Sequence, residues 1–327
     1  MSVLSYPEAI AVGGLQGLTE LFPVSSLGHS VLLPAVVGGN WARDLDVSAP
    51  ESPYLAFIVG VHVATAAALL LFFWRDWVRI AGGFLTSVRY RRAATPDERL
   101  AWLIIVATIP VGLSGLLLEH IFRTTLGRPI PAACFLIANG VLLAAGERMR
   151  RRGPVTSPEP AMASPASSPS PPDVMTTGCR APEVAEGVAE ANDPATSDDR
   201  LSRLSFSQTI GVGAAQALAL LPGISRSGVT MVAGLTCGLS HEDAARFSFL
   251  LATPVILAAG VLKVPDLFGP LGTGIHGQVL AGSLASFVTA YVAVRFLTRW
   301  FQTRTLTPFA VYCLIVGTAG LAVVVSR

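Results

Sequence analysis

The sequence predicts an all-α integral membrane protein made of two inverted-topology repeats, each a re-entrant helical hairpin followed by about three transmembrane helices. Three observations carry that expectation. Of 327 residues, 52% are hydrophobic and only 13% charged, against about 25% charged in soluble domains, and the mean hydropathy is +0.59. Residues 8–31 and 208–232 set polar side chains into otherwise apolar sequence. The two stretches also match at a constant offset of 200, through Ile10/Ile210, Val12/Val212, Gly13/Gly213, Gln16/Gln216, Leu18/Leu218, Leu21/Leu221, Ser25/Ser225 and Gly28/Gly228.

A net charge of +2 does not suggest a nucleic-acid partner. Cys134, Cys179, Cys237 and Cys313 show no C-x-x-C spacing, so neither a disulfide framework nor a zinc site is indicated.

The first membrane repeat is expected over 1–152, with its re-entrant hairpin at about 8–37. Pro7 can start a helix, but Glu20, Pro23 and the turn at Ser25–Gly28 break it short of the roughly 20 residues needed to span. Non-helical backbone at membrane depth is tolerated only against protein or a wet cavity, so the break predicts a cavity at the hairpin tip. A polar loop follows over 38–53, then a span over 54–74 ending in an interfacial Trp74-Arg75-Asp76-Trp77 anchor. Arg75, Arg79, Arg89, Arg91, Arg92 and Arg99 read as a cytoplasmic loop, before spans over 100–118 and 132–145.

Residues 153–204, rich in Pro, Ser, Ala and acidic residues, read as a disordered cytoplasmic linker, because they cannot bury enough apolar surface to offset ordering entropy. The second repeat, 205–327, opens with a hairpin at about 206–239 and continues in helices near 242–262, 279–297 and 306–325. This assignment puts sixteen of the 23 basic residues inside. The first hairpin then dips from outside and the second from inside, the arrangement in which transporter sites form near the midplane.

Ionisable groups at such depth default to function. Gln16 and Glu20 are four residues apart on one helix face, offering oxygens to a hard divalent cation, most plausibly one bridging Glu20 to a substrate phosphate. Ser26 and His29 are close enough in sequence for nucleophilic or acid–base chemistry. In the second hairpin, Arg226 flanked by Ser225, Ser227, Gly223 and Gly228 has the donors for a phosphoryl group, and Thr230 reads as a further donor or a helix-cap hydroxyl. An Arg226–Glu20 pair is the structural alternative. Arg246 is read as the partner of Glu242, and His62 with Thr65 as a packed polar pair.

The runs Gln16–His29 and Pro222–Thr230, with Ala244–Leu251, resemble bacterial undecaprenyl-diphosphatase, the bacitracin-resistance type of polyprenyl diphosphate phosphatase, over all but the linker. The resemblance implies a bacterial inner-membrane enzyme that hydrolyses undecaprenyl diphosphate to the monophosphate, recycling the carrier for cell-wall peptidoglycan synthesis, with Mg2+ or Ca2+. It implies that Glu20, Ser26, His29 and Arg226 are catalytic, that Ser25, Ser225, Arg226, Ser227 and Thr230 bind phosphate, and that Glu20 with Gln16 faces the metal. The nucleophile stays open between Ser26, His29 and water. Two departures stand out: Gln16 replaces a frequent Glu, and the linker is unusually long. Expected partners are the lipid substrate and the bilayer, with a homodimer left open and the active site reached from the outer face. The competing reading is a transporter or flippase of a phosphorylated polyprenyl lipid, which the repeat suits and which needs no nucleophile.

Overall fold

The computed structural model describes residues 4–39, 41, 45, 53–121, 126–152, 194–269 and 274–326, and these form helices and turns with no strand among them. In chain order the helices are α1 (Tyr6–Leu21), α2 (Ser26–Val37), α3 (Pro53–Phe72), α4 (Trp74–Tyr90), α5 (Pro96–Ile121), α6 (Pro129–Arg152), α7 (Pro194–Ser202), α8 (Phe206–Ala215), α9 (Arg226–Thr236), α10 (His241–Phe268), α11 (His276–Thr303) and α12 (Thr307–Val325). Five of them, α5, α6, α10, α11 and α12, are long and apolar enough to cross a membrane, or six if the bent pair α3/α4 is one crossing. This is the build of a multi-pass membrane protein.

The local chemistry of the two hairpins is duplicated. Ser5 caps α1 in a reciprocal box with Glu8, and Ser205 caps α8 in the same way with Gln208. Ser25 caps α2 through the N–H of Gly28, and Ser225 caps α9 through the N–H of Gly228. α1 ends where Pro23 cannot supply a helical N–H. α8 passes into a 3₁₀ turn, Gln216–Leu220, before its own break. The partners also correspond: α1 packs along α11, and α8 along α5. Both crossings are backbone contacts. A Cβ at Gly13 would lie 2.2 Å from the Gly282 carbonyl oxygen, and one at Gly213 would lie 2.2 Å from that of Ala107. Only glycine permits this approach.

Two expectations about the connections need correction. The arginine-rich stretch after residue 74 is a helix, α4, turned 84° from the apolar part of α3. Its buried residues Asp76, Ile80, Gly83 and Ser87 recur at helical spacing, so the arginines interrupt hydropathy but not the period. The C-terminal part of the stretch read as disordered contains α7, while 153–193 lies outside the described residues.

α7 is ordered by charge rather than by apolar burial alone. Asp198, 1% exposed, accepts from Arg79 (2.5 Å) and from Arg246 (2.7 Å), and both arginines also bond Asp76. Arg200 forks onto Asp243 at 2.8 and 2.9 Å, and Leu201 and Leu204 are buried beside them. Arg246 therefore pairs with Asp76 and Asp198 instead of Glu242.

Candidate active site

The tips of the two hairpins touch. A Cβ on Gly28 would come within 2.9 Å of the Gly223 Cα, so the first tip rests against backbone of the second. Asn139, on α6 and fully buried, joins them: its side-chain N–H donates to the Pro23 carbonyl (3.0 Å), and its oxygen accepts from the Ser225 N–H (3.0 Å). Ser225 and Ser227 donate their hydroxyls to the Phe22 carbonyl at 3.5 and 3.2 Å.

At that junction α1 delivers Glu20, α2 begins at Ser26 and α9 begins at Arg226. Arg226 Nη2 donates to Glu20 Oε1 at 2.7 Å, and Ser26 Oγ donates to Glu20 Oε2 at 2.5 Å, the length of a charge-assisted O–H···O⁻ bond. Glu20 is 9% exposed and so is Ser26. Two serine-capped helix N-termini meet here beside a guanidinium, which is a setting for an anion. Ser25 holds φ 67, ψ 101, a sparsely populated conformation for a residue other than glycine. The strain sits directly before the Ser26 hydroxyl.

His62 Nε2 lies 3.4 Å from Glu20 Oε2. Its Nδ1 bonds the Ile58 carbonyl at 2.8 Å, and a carbonyl only accepts, so that nitrogen carries a hydrogen. Nε2 therefore faces the carboxylate either as a donor or across a shared proton. The expected pairing of His62 with Thr65 is replaced: Thr65 bonds Val61 and Ser286.

His29 points elsewhere. Its Nδ1 donates to the Ser25 carbonyl (2.7 Å), its Nε2 accepts from the Tyr312 hydroxyl (2.9 Å), and the two rings stack with centroids 5.7 Å apart. Of the expected phosphate donors, Arg226 faces the carboxylate. Ser25 receives the Gly28 N–H, Ser225 and Ser227 brace Phe22, and Thr230 donates back to the Arg226 carbonyl at 2.8 Å.

The donors for a cation are poor. Mg2+ or Ca2+ asks for about six or more oxygen ligands, yet both Glu20 oxygens are engaged, and no group of three or more His, Cys, Asp or Glu able to hold a metal occurs among the described residues. Gln16 is buried with neither amide atom hydrogen-bonded, but so is Gln216, in the hairpin where Leu220 stands in place of Glu20. An orphaned amide common to both hairpins does not mark a metal site. By themselves these residues do not close a cage around a cation; Glu20 is the carboxylate that would share one with substrate phosphate and water.

The model of the bacitracin resistance protein BacA family matches residues 9–319. The chain belongs to this family. It is 65% identical over 318 residues to the undecaprenyl-diphosphatase of Mycolicibacterium paratuberculosis, covering 97% of each chain. It is 55% identical over 361 residues to undecaprenyl-diphosphatase 1 of Frankia casuarinae, again with 97% of each covered. Undecaprenyl-diphosphatase 2 of Chromobacterium violaceum is 40% identical over 318 residues, covering 96% of this chain and 97% of that one.

Within this BacA-family chain, three residues at the junction lie outside the motif reading: His62, Asn139 and Tyr312. The first two carried a signal, since each is a polar side chain within a long apolar helix. Tyr312 carried none, because a tyrosine near a helix end is common in membrane proteins.

Proposed function

We infer that this chain hydrolyses undecaprenyl diphosphate to undecaprenyl monophosphate and inorganic phosphate. The observation that carries the reading is the Ser26–Glu20–Arg226 contact, which joins a hydroxyl, a carboxylate and a cation contributed by two hairpins about 200 residues apart. The relatives at 65% and 55% identity bear the name of this activity.

In the proposed sequence the terminal phosphate enters between Arg226 and Ser26, drawing the guanidinium from Glu20. Glu20 takes the Ser26 proton as Oγ attacks the terminal phosphorus. The bond to the bridging oxygen breaks, and undecaprenyl monophosphate leaves as an anion. Water then attacks the seryl phosphate, and the proton on Glu20 returns to Ser26 Oγ as phosphate departs. Arg226 offsets the charge on the transferring group, the main task of a protein in phosphoryl transfer. His29 holds the strained Ser25 carbonyl and so positions Ser26, while Ser225, Ser227 and Thr230 hold the second tip in shape.

We also propose that both hairpins are re-entrant and inverted about the membrane plane, in the bacterial inner membrane, with the site opening to the outer face and residues 153–193 inside. Their helices, at about 1.5 Å per residue, are too short to span about 30 Å. The shared capping boxes and glycine crossings support a duplicated unit.

The test is release of inorganic phosphate from undecaprenyl diphosphate by the purified protein in detergent, with and without EDTA. Wild type should release phosphate, and Ser26→Ala, which removes one oxygen, should lose about a thousandfold or more while still unfolding cooperatively in detergent. Retained turnover in Ser26→Ala overturns the assignment of the nucleophile, and absence of turnover in wild type overturns the activity.

A further inference from the structure

Away from the hairpins, the outward face of α4 has no assigned role. Trp74 (53% exposed), Val78 (64%), Leu85 (67%) and Val88 (52%) recur at helical spacing and form one stripe. Beside the stripe Arg75, Arg89, Arg91 and Arg92 are all exposed. Arg75 stacks on Trp74 at 5.3 Å, and Arg89 and Arg92 stack on Tyr90 at 5.9 and 5.6 Å. The only acid between residues 74 and 92 is Asp76, which is buried and turned inward onto Arg79 and Arg246. α4 itself therefore brings no exposed acid to this face; beyond its end Glu98, a buried carboxylate, accepts from the Ala94 and Thr95 N–H groups and lies close enough to Arg92 to interact with its charge.

At the C-terminal end of α4, Arg91 adopts φ 50 and ends the helix. Beyond it lies an open groove of about 430 Å³ lined by Ser87, Val88, Arg91, Arg92, Ala93 and Trp102. α4 is turned 84° from the apolar part of α3, and its apolar stripe beside arginines is the pattern of a helix lying in the membrane interface. An apolar stripe flanked by arginine and aromatic rings at that depth suits the boundary between acyl chains and headgroups. The anion that a bilayer presents there is a lipid phosphate.

We propose that the outward face of α4, with the groove at its C-terminal end, binds an anionic phospholipid, the headgroup phosphate held by Arg91 and Arg92 and the acyl chains lying on the Trp74–Val88 stripe. This site is separate from the junction of the hairpins and does not depend on the activity proposed above.

The experiment uses the full chain in neutral detergent with equal amounts of phosphatidylglycerol and phosphatidylcholine, the bound lipid being counted by native mass spectrometry. Wild type should retain phosphatidylglycerol in preference, with no displacement by an equal concentration of inorganic phosphate. Arg89→Gln/Arg91→Gln/Arg92→Gln should reduce that retention about tenfold or more. Arg148→Gln/Arg295→Gln/Arg299→Gln, which removes three exposed arginines elsewhere, should leave it intact. Should the first triple variant fail to fold, Arg91→Gln and Arg92→Gln singly should each lower retention. Equal retention of the two lipids, full retention by the Arg89/Arg91/Arg92 variants, or displacement by free phosphate would each overturn the proposal. So would a Val78→Glu/Leu85→Glu variant that turns a dimer into a monomer in light scattering, since the face would then be a subunit interface.

Discussion

The two hairpin tips share a scaffold and differ in chemistry. Capping boxes, serine caps and buried unpaired glutamines recur at the offset of 200. At three positions the copies diverge in chemistry, with Glu20 against Leu220, Ser26 against Arg226 and His29 against Val229. A duplicated backbone thus presents a hydroxyl and a carboxylate on one side and a guanidinium on the other. Neither hairpin holds a complete site. The serines at the second tip show the same division, since Ser225 and Ser227 brace the Phe22 carbonyl while Ser26 engages a carboxylate.

The sharpest way to break this comparison is at Glu20. Glu20→Gln keeps an acceptor for Arg226 and Ser26 but removes the base, and phosphate release should fall by about 10²–10⁴. If the tips were interchangeable, adding Leu220→Glu would restore activity. The expected result is no restoration, because the serine hydroxyl that needs a base lies on the first tip. Recovery in the double variant would break the division of labour.

The shared scaffold predicts equality where the chemistry predicts difference. Gly13→Ala and Gly213→Ala each push a methyl against a backbone carbonyl that cannot swing aside. Overpacking of this kind costs about 1–3 kcal/mol, which is several degrees in the thermal midpoint. Both variants should melt earlier by similar amounts in detergent. Tolerance at one position alone would mean that the two crossings are not equivalent.

Residue patterns announced the helices and the pairing of the tips because both leave period and offset in the chain. Apolar runs located the later spans, with ends within about six residues of those of the helices, and the costly burial of Glu20 and Arg226 pointed to mutual need across the two hairpins. Tertiary partners were harder to read. Arg246 has Glu242 one turn away, yet a closer pair of carboxylates arrives from Asp76 and from Asp198 of a segment whose composition resembles a linker. α4 was hidden because hydropathy averages away an amphipathic period. His29 follows Ser26 by only three residues, but the helix that starts at Ser26 carries its ring onto Tyr312. The imidazole that reaches Glu20 comes from α3, and nothing local in the sequence couples residue 62 to residue 20.

That imidazole gives the smallest of the expected effects and the finest test of the asymmetry, because the second hairpin has no carboxylate at position 220 for such a ring to meet. If His62 serves to hold Glu20 toward Ser26, the requirement is a hydrogen-bond donor near Oε2, which a glutamine amide can also supply. His62→Gln should then retain phosphate release to within a few-fold. His62→Ala removes the donor and leaves a buried carboxylate less constrained, a loss comparable to one charged-group hydrogen bond of about 1.5–3 kcal/mol, or roughly ten- to a hundredfold. The loss should appear in kcat, with KM changed little, because Arg226 and the helix N-termini remain to bind the diphosphate. Steady-state kinetics of the three proteins decide the matter. Equal damage in His62→Gln and His62→Ala would show that the ring acts through its own proton rather than by orienting Glu20, and a change confined to KM would place it on the substrate instead.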